Sequence, residues 1–138
     1  MIYLDTNVII SFMDTRDPLH EDALKFLDSI DMERVVSMVV FLELVSVYSR
    51  AGFSDPVALA IYSIDRVGAS LIGIDCDLLL RKAIVYAPML KLRTLDLLHV
   101  VACYVIGADS IATFDEDIIR KSSVIEDTLG VKVVSYSR

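Results

Sequence analysis

Apolar positions fall along this chain in two alternating patterns. Short, near-continuous runs occur at Ile2–Leu4, at Arg34–Ser37 around the Val35–Val36 pair, and at Ala69–Ile74 between Gly68 and Asp75. Two more lie at Ser110–Thr113 and, after Gly130, at Val131–Val134. Runs of this kind predict strands covered on both faces, as in a parallel sheet. Elsewhere the apolar positions recur at helical spacing. Pro18 opens one predicted helix, with Leu19, Ala23, Phe26, Leu27 and Ile30 on a single face. A second covers Val39–Arg50 and ends at Gly52. Asp55 followed by Pro56 starts a third, whose stripe is Val57, Ala60, Ile61 and Ile64. Asp75 caps a fourth that is expected to stop at Pro88. A fifth runs from Thr94 or Leu95 to Ile106 and is closed by Gly107, and Asp115 starts a short sixth. No repeat, linker or low-complexity segment interrupts this order, so residues 1–138 are expected to form one domain. Alternating strands and helices predict an α/β class fold, an α/β/α sandwich around an open, mostly parallel sheet. In such sheets the site lies beyond the carboxyl ends of the strands, where strand order reverses.

Composition narrows the function classes. A chain of 138 residues buries roughly two-thirds of its unfolded surface and needs no disulfide staple. Its apolar fraction of 55% is high for a water-soluble protein, and the surplus predicts a contact surface, most simply a homodimer interface. A membrane span is excluded by arrangement. The longest uncharged apolar run, Leu97–Ala108, contains a histidine and falls short of the roughly 20 residues a bilayer requires. The MIYLDTN start has neither a basic patch nor a small-residue cleavage site and reads as the beginning of a folded domain. Cys76 and Cys103 are isolated, which suggests apolar packing residues and a reducing, cytoplasmic location. The net charge of −7 excludes nucleic-acid binding by bulk phosphate neutralisation. Any contact with RNA or DNA must be local, through bound cations and a few Lys and Arg. The chain has no glutamine and one asparagine, Asn7, placed close to Asp5 at a strand end.

Four acidic residues fall where the strand-end rule points. Asp5 ends the first strand, Glu43 lies in the helix after the second, Asp96 is near the start of LDLLHVVACYV, and Asp115 follows the fourth strand in ATFDED. Glu43 and Asp96 are each the only acid in a helix dominated by apolar residues, where a carboxylate costs several kcal/mol unless compensated. Carboxylates converging in a crevice repel one another unless a cation sits between them. Mg²⁺ suits that role, because it prefers oxygen ligands and completes its shell from water and phosphate. Two such ions about 4 Å apart activate water and stabilise a leaving oxygen, which is the chemistry of phosphodiester hydrolysis. Each position also has a purely structural reading. Asp5, Asp96 and Asp115 are good caps, and Glu43 would be a solvent-facing side chain. All four would then have to coincide at one end of the sheet by chance.

The order DTNVII, then FLELVSVYSR, then LDLLHVVACYVIGADSIATFDEDI resembles the PIN domain, in particular the VapC-like toxin ribonucleases and their archaeal relatives. The resemblance extends over essentially the whole chain. It implies a five-stranded parallel sheet in the order 3-2-1-4-5. It also implies catalytic, metal-holding acids at Asp5, Glu43, Asp96 and Asp115, with Asp117 as a further metal ligand. The auxiliary hydroxyl before the last acid corresponds to Thr113, and Asn7 would steady Asp5 or a metal-bound water. Ile118 stands where a Phe often follows the last acid pair, a change expected to affect packing. The resemblance further implies a Mg²⁺ or Mn²⁺ cofactor, an RNA substrate, a homodimer, and an apolar groove that takes a helix from an antitoxin protein.

Other residues are read more blandly. His99, one turn from Asp96, is expected to be satisfied in the core, and His20 to lie on a solvated helix face. Lys91 and Arg93, just before Asp96, would either guide phosphate or form a solvated loop pair. Competing classes fit less well. Haloacid-dehalogenase-type phosphatases need a second Asp two residues after the first, where this chain has Asn7. Receiver domains need paired acids and a late lysine. A non-catalytic PIN scaffold, or a PIN nuclease of RNA maturation, remains as the alternative to a toxin.

Overall fold

The structure, a computed structural model, describes residues 1–136. The last two residues of the expected domain, 137 and 138, lie outside the described ones. Each of the five apolar runs forms a strand of three residues: β1 Ile2–Leu4, β2 Arg34–Val36, β3 Ala69–Leu71, β4 Ser110–Ala112 and β5 Lys132–Val134. All pairings are parallel and the order is β3-β2-β1-β4-β5. This is the order the family resemblance implied. Tyr3 pairs with Val35 on one side and with Ile111 on the other, which makes β1 the central strand. Its side chains alternate between faces, yet Ile2, Tyr3 and Leu4 are all fully buried. Helices therefore cover both faces of the sheet. The edge strands β3 and β5 are partly exposed, as edges are.

The helices among the described residues are α1 Thr6–Met13, α2 His20–Ser29, α3 Met38–Arg50, α4 Pro56–Arg66, α5 Cys76–Leu90, α6 Thr94–Ile106, α7 Glu116–Arg120 and α8 Ser122–Leu129. Most of the predicted boundaries hold. Asp55 and Asp75 cap α4 and α5 through Ala58 N–H and Leu78 N–H. Gly107 closes α6 with a left-handed φ of 85°. Three features differ from expectation. Helix α1, which follows Asp5 directly, and α8 were not anticipated. Helix α5 does not stop at Pro88 but continues to Leu90. Proline lacks the N–H that would bond the Ile84 carbonyl, but this side of α5 faces water, where Ile84 is 72% exposed and the carbonyl can be hydrated.

Two polar tethers fix the layers. The buried Tyr48 hydroxyl of α3 meets Ser63 Oγ of α4 at 2.7 Å. The Arg34 guanidinium of β2 donates to the Val67 carbonyl at 2.8 Å and to carbonyls at the end of α2, including Leu27. The apolar surplus is concentrated outside these contacts, on α5 (Leu80, Ile84, Val85, Met89) and on the α3–α4 side (Leu42, Phe53, Val57, Ile61). No helix among the described residues is long and apolar enough to cross a membrane.

Candidate metal centre

The central strand delivers the first acid. Asp5 ends β1 and caps α1, accepting the Thr6 N–H through Oδ1 at 2.7 Å. Its Oδ2 accepts the Thr113 hydroxyl, also at 2.7 Å. Thr113 follows β4, the neighbour of β1, and its oxygen in turn accepts the Asp115 N–H at 2.9 Å. Asp115 caps α7, accepting the N–H groups of Asp117 and Ile118 at 2.9 and 3.0 Å. Glu43 reaches in from the second turn of α3 after β2, and Asp96 from the first turn of α6. These elements meet at the carboxyl ends of β1, β2 and β4, where the strand order reverses. A cavity of about 190 Å³ opens there, lined by Asp5, Thr6, Asn7, Glu43, Asp96, His99 and Asp115.

Within this crevice the possible ligand atoms form two groups. Those of Asp5, Glu43 and His99 lie within 4.8 Å of one another, and so do those of Asp96, Asp115 and Asp117. The acids differ in how their surroundings treat their charge. Burial pushes the Asp5 carboxyl above its ordinary pKa, and nearby Glu43 adds to the shift. Asp96 is raised as well, first by burial and then by the negative charges of Asp115 and Asp5. Glu43 behaves oppositely. Burial acts to raise it, but His99 and Thr6 together hold it below the ordinary value. His99 is raised despite its burial, because Glu43, Asp5 and Asp96 surround it. Thr6 Oγ1 is buried at the cavity wall, near enough to the Glu43 carboxylate to stabilise its charge but without a well-aligned hydrogen bond. Clustered carboxylates, two of them pushed toward the neutral form by burial and by one another, fit an oxygen-loving divalent cation and its water shell.

A family model for the PIN domain matches residues 2–123. The chain belongs to the PIN-domain family. Solved structures share the fold at low identity. VapC20 of Mycobacterium tuberculosis, a sarcin-ricin loop cleaving toxin, superposes with a TM-score of 0.70 at 17% identity, over 87% of this chain and 94% of that one. VapBC-1 from nontypeable Haemophilus influenzae gives 0.66 at 18%, over 100% of both chains. VapBC2 from Rickettsia felis, bound to a DNA fragment from its promoter, gives 0.64 at 17%, over 99% and 100%. Among curated protein sequences none matches the chain.

The remaining PIN positions are placed as follows. Thr113 donates to Asp5. Asn7 lines the cavity, but its Oδ1 accepts the Phe114 N–H at 3.2 Å, so it holds the β4–α7 turn and makes no hydrogen bond to Asp5. Asp117 joins the Asp96–Asp115 group and also pairs with Arg120. Lys91 and Arg93 are exposed on the α5–α6 connection and do not line the cavity. His99 is in the core as expected, but it is also part of the site. Its Nε2 lies 2.8 Å from Glu43 Oε1 and 3.7 Å from Asp5 Oδ1. Helical periodicity reveals that His99 faces inward, but not that α3, 56 residues away in sequence, puts Glu43 against it. His20 is not simply solvated, since its Nδ1 meets the Ser11 carbonyl at 2.9 Å at the start of α2.

Proposed function

We propose that this PIN domain, spanning residues 1–138, is a Mg²⁺- or Mn²⁺-dependent endoribonuclease and the toxin of a toxin–antitoxin pair. The observation that carries the reading is the convergence of Asp5, Glu43, Asp96 and Asp115 on one crevice at the switch point of the sheet. These four are the catalytic acids, and with Asp117 they are the groups that would hold the metal. A bound divalent cation supplies a water of lowered pKa and a counter-charge for phosphate. The protein's own groups do the rest. Thr113 and the Thr6 N–H fix both oxygens of Asp5. The Asp117 and Ile118 N–H groups fix Asp115. Lys91 and Arg93 would guide the RNA backbone from the rim.

The toxin assignment is supported by the neighbours in toxin–antitoxin systems and by an apolar groove beside the site. This groove, of about 520 Å³, is lined by Ile10, Met13, Val47, Tyr48, Phe53 and Leu59, with Asp14, Thr15 and Arg16 along one side. Ile10 and Val47 line the acidic cavity too, so an antitoxin helix laid in the groove would close the crevice. The exposed apolar face of α5 suits a homodimer, and a cytoplasmic setting accords with two free cysteines.

The test is cleavage of a fluorescent single-stranded RNA in Mg²⁺, Mn²⁺ or EDTA by wild type and Asp96→Asn. Metal-dependent cutting that Asp96→Asn loses by about 100-fold or more supports the nuclease. Absence of cutting, together with no thermal shift on adding metal, would leave a non-catalytic binding module. Cutting confined to one stable RNA, with no growth arrest on expression, would favour RNA maturation over toxicity.

A further inference from the structure

The core behind Glu43 contains a continuous line of hydrogen bonds that the proposed chemistry does not use. Val39 N–H lies 3.2 Å from Ser37 Oγ, and Ser37 Oγ is 2.7 Å from Tyr3 Oη. Tyr3 Oη is 2.9 Å from His99 Nδ1, and His99 Nε2 is 2.8 Å from Glu43 Oε1. Ser37, Tyr3 and His99 are all essentially inaccessible to water.

The two ends of this line fix its direction. A backbone N–H only donates, so Ser37 Oγ accepts from Val39. An ionised carboxylate only accepts, so Nε2 must carry the proton that points at Glu43. In the neutral ring Nδ1 is then an acceptor, Tyr3 donates to it, and Ser37 donates to Tyr3; a ring carrying a second proton would donate from Nδ1 and leave the buried Ser37 hydrogen without an acceptor among the described residues. Every hydrogen has one place. The opposite tautomer would set the Nε2 lone pair against a carboxylate oxygen at 2.8 Å and leave the buried Ser37 hydrogen without an acceptor among the described residues. Each such fault costs on the order of 1–3 kcal/mol.

We propose that His99 is a positioning residue, locked by Tyr3 and Ser37 in the Nε2–H tautomer, that holds Glu43 in its ligating orientation. Asp5 and Asp115 are held by backbone N–H groups. Glu43 is a longer side chain with no backbone donor among the described residues; side chains restrain it instead, His99 first and Thr6 after it. Both ring nitrogens are engaged, so His99 acts through Glu43 and does not itself bind the ion. Hydrogen bonds that orient a metal-ligating carboxylate set how much side-chain freedom binding must freeze. The inference rests on the metal-site reading above.

Three measurements test it: Mn²⁺ affinity from the EPR signal of free Mn²⁺, the melting temperature in EDTA, and the long-range ¹H–¹⁵N spectrum of the His99 ring. In the wild type the spectrum should show the proton on Nε2 and a hydrogen-bonded, unprotonated Nδ1. His99→Leu removes the donor and should weaken Mn²⁺ binding about 10-fold or more, whereas His99→Gln, which keeps an N–H near the same point, should stay within about threefold. Tyr3→Phe should release the tautomer and weaken binding by an intermediate amount. It also provides the decisive variant if the His99 substitutions fail to fold. Wild-type affinity in His99→Leu, or a ring protonated on Nδ1, alone or together with Nε2, overturns the inference. A wild type that binds no Mn²⁺ overturns the metal-site reading instead, while its ring spectrum still decides whether the tautomer is locked.

Discussion

Thr113 shows how much one hydroxyl does at this site. It is fully buried, donates to Asp5 Oδ2 and accepts from the Asp115 N–H, so it ties two acids of different strands to one atom. Thr113→Val keeps the shape and removes the hydroxyl, leaving a buried carboxylate oxygen without its donor. A loss of about 1–3 kcal/mol in urea unfolding is expected, and Thr113→Ser should recover most of it. Equal stability of Val and Thr variants would show that water replaces the hydroxyl. Cys103 makes the contrary case of a reactive group made inert. Burial pushes its thiol up to about 12, and Sγ lies 3.4 Å from the Ser110 carbonyl. Cys76 is exposed. Iodoacetamide at about pH 8, well below the Cys103 value, should therefore add one label, at the exposed Cys76, to the folded protein. A second label should appear only in denaturant; two labels in native buffer would contradict the burial. At this scale the acids were legible in sequence because a carboxylate in an apolar helix needs a reason, as Glu43 and Asp96 did. His99 was half legible. Its inward direction followed from the periodicity of α6, while its partner depended on tertiary packing.

Helix α5 carries the clearest departure between local rules and the observed element. Pro88 sits in its last turn, deprived of a hydrogen bond to Ile84, on the exposed side of the helix, where the lost bond costs less than in a core. Pro88→Ala restores the N–H. The gain must be smaller than the roughly 3 kcal/mol of a helix-interior proline, and it is reduced further by the greater freedom of the unfolded alanine chain. A net stabilisation of about 1–2 kcal/mol is expected from urea unfolding at matched protein concentration, and destabilisation would mean that Pro88 packs productively. The more exposed β2, β3 and β5 were readable by their β-branched or apolar runs beside charged residues or glycines, and the central strands β1 and β4 because three buried residues in a row leave no polar face to confuse the pattern. Helix α1 was not, for the same reason. Its TNVIISFM segment is apolar almost all round, with β-branched Val8, Ile9 and Ile10, and it lacks the stripe that marks an amphipathic helix. Helix α8 escaped because it has no side-chain cap and buries only Ile125 and Leu129.

At the scale of the whole molecule, a net charge of −7 and a cluster of carboxylates set the terms of binding. The metal-free protein gathers acids that repel, and a cation bound only by the folded state must stabilise it. At 100 times the dissociation constant the gain is about 2.7 kcal/mol, which for 138 residues raises the melting temperature by about 9 °C. Calorimetry with Mg²⁺ and with EDTA measures this directly, and Asp5→Asn should show a much smaller shift. RNA affinity follows from the same charge distribution. A basic protein gains affinity by releasing many counterions, so its binding falls steeply with salt. Here the cations available near the crevice on the α5–α6 connection are Lys91 and Arg93, both exposed. Each phosphate contact to a single strand contributes a slope of about 0.7 in the logarithmic salt plot, so removing both should flatten it by about 1.4. The measurement is fluorescence anisotropy of a labelled single-stranded RNA from 50 to 300 mM KCl, in an Asp115→Asn background that should not cleave. If Lys91→Ala with Arg93→Ala leaves the slope unchanged, the pair is solvated and the backbone is held elsewhere. A flattened slope with unchanged melting temperature would place the entering RNA across the start of α6, directly above Asp96.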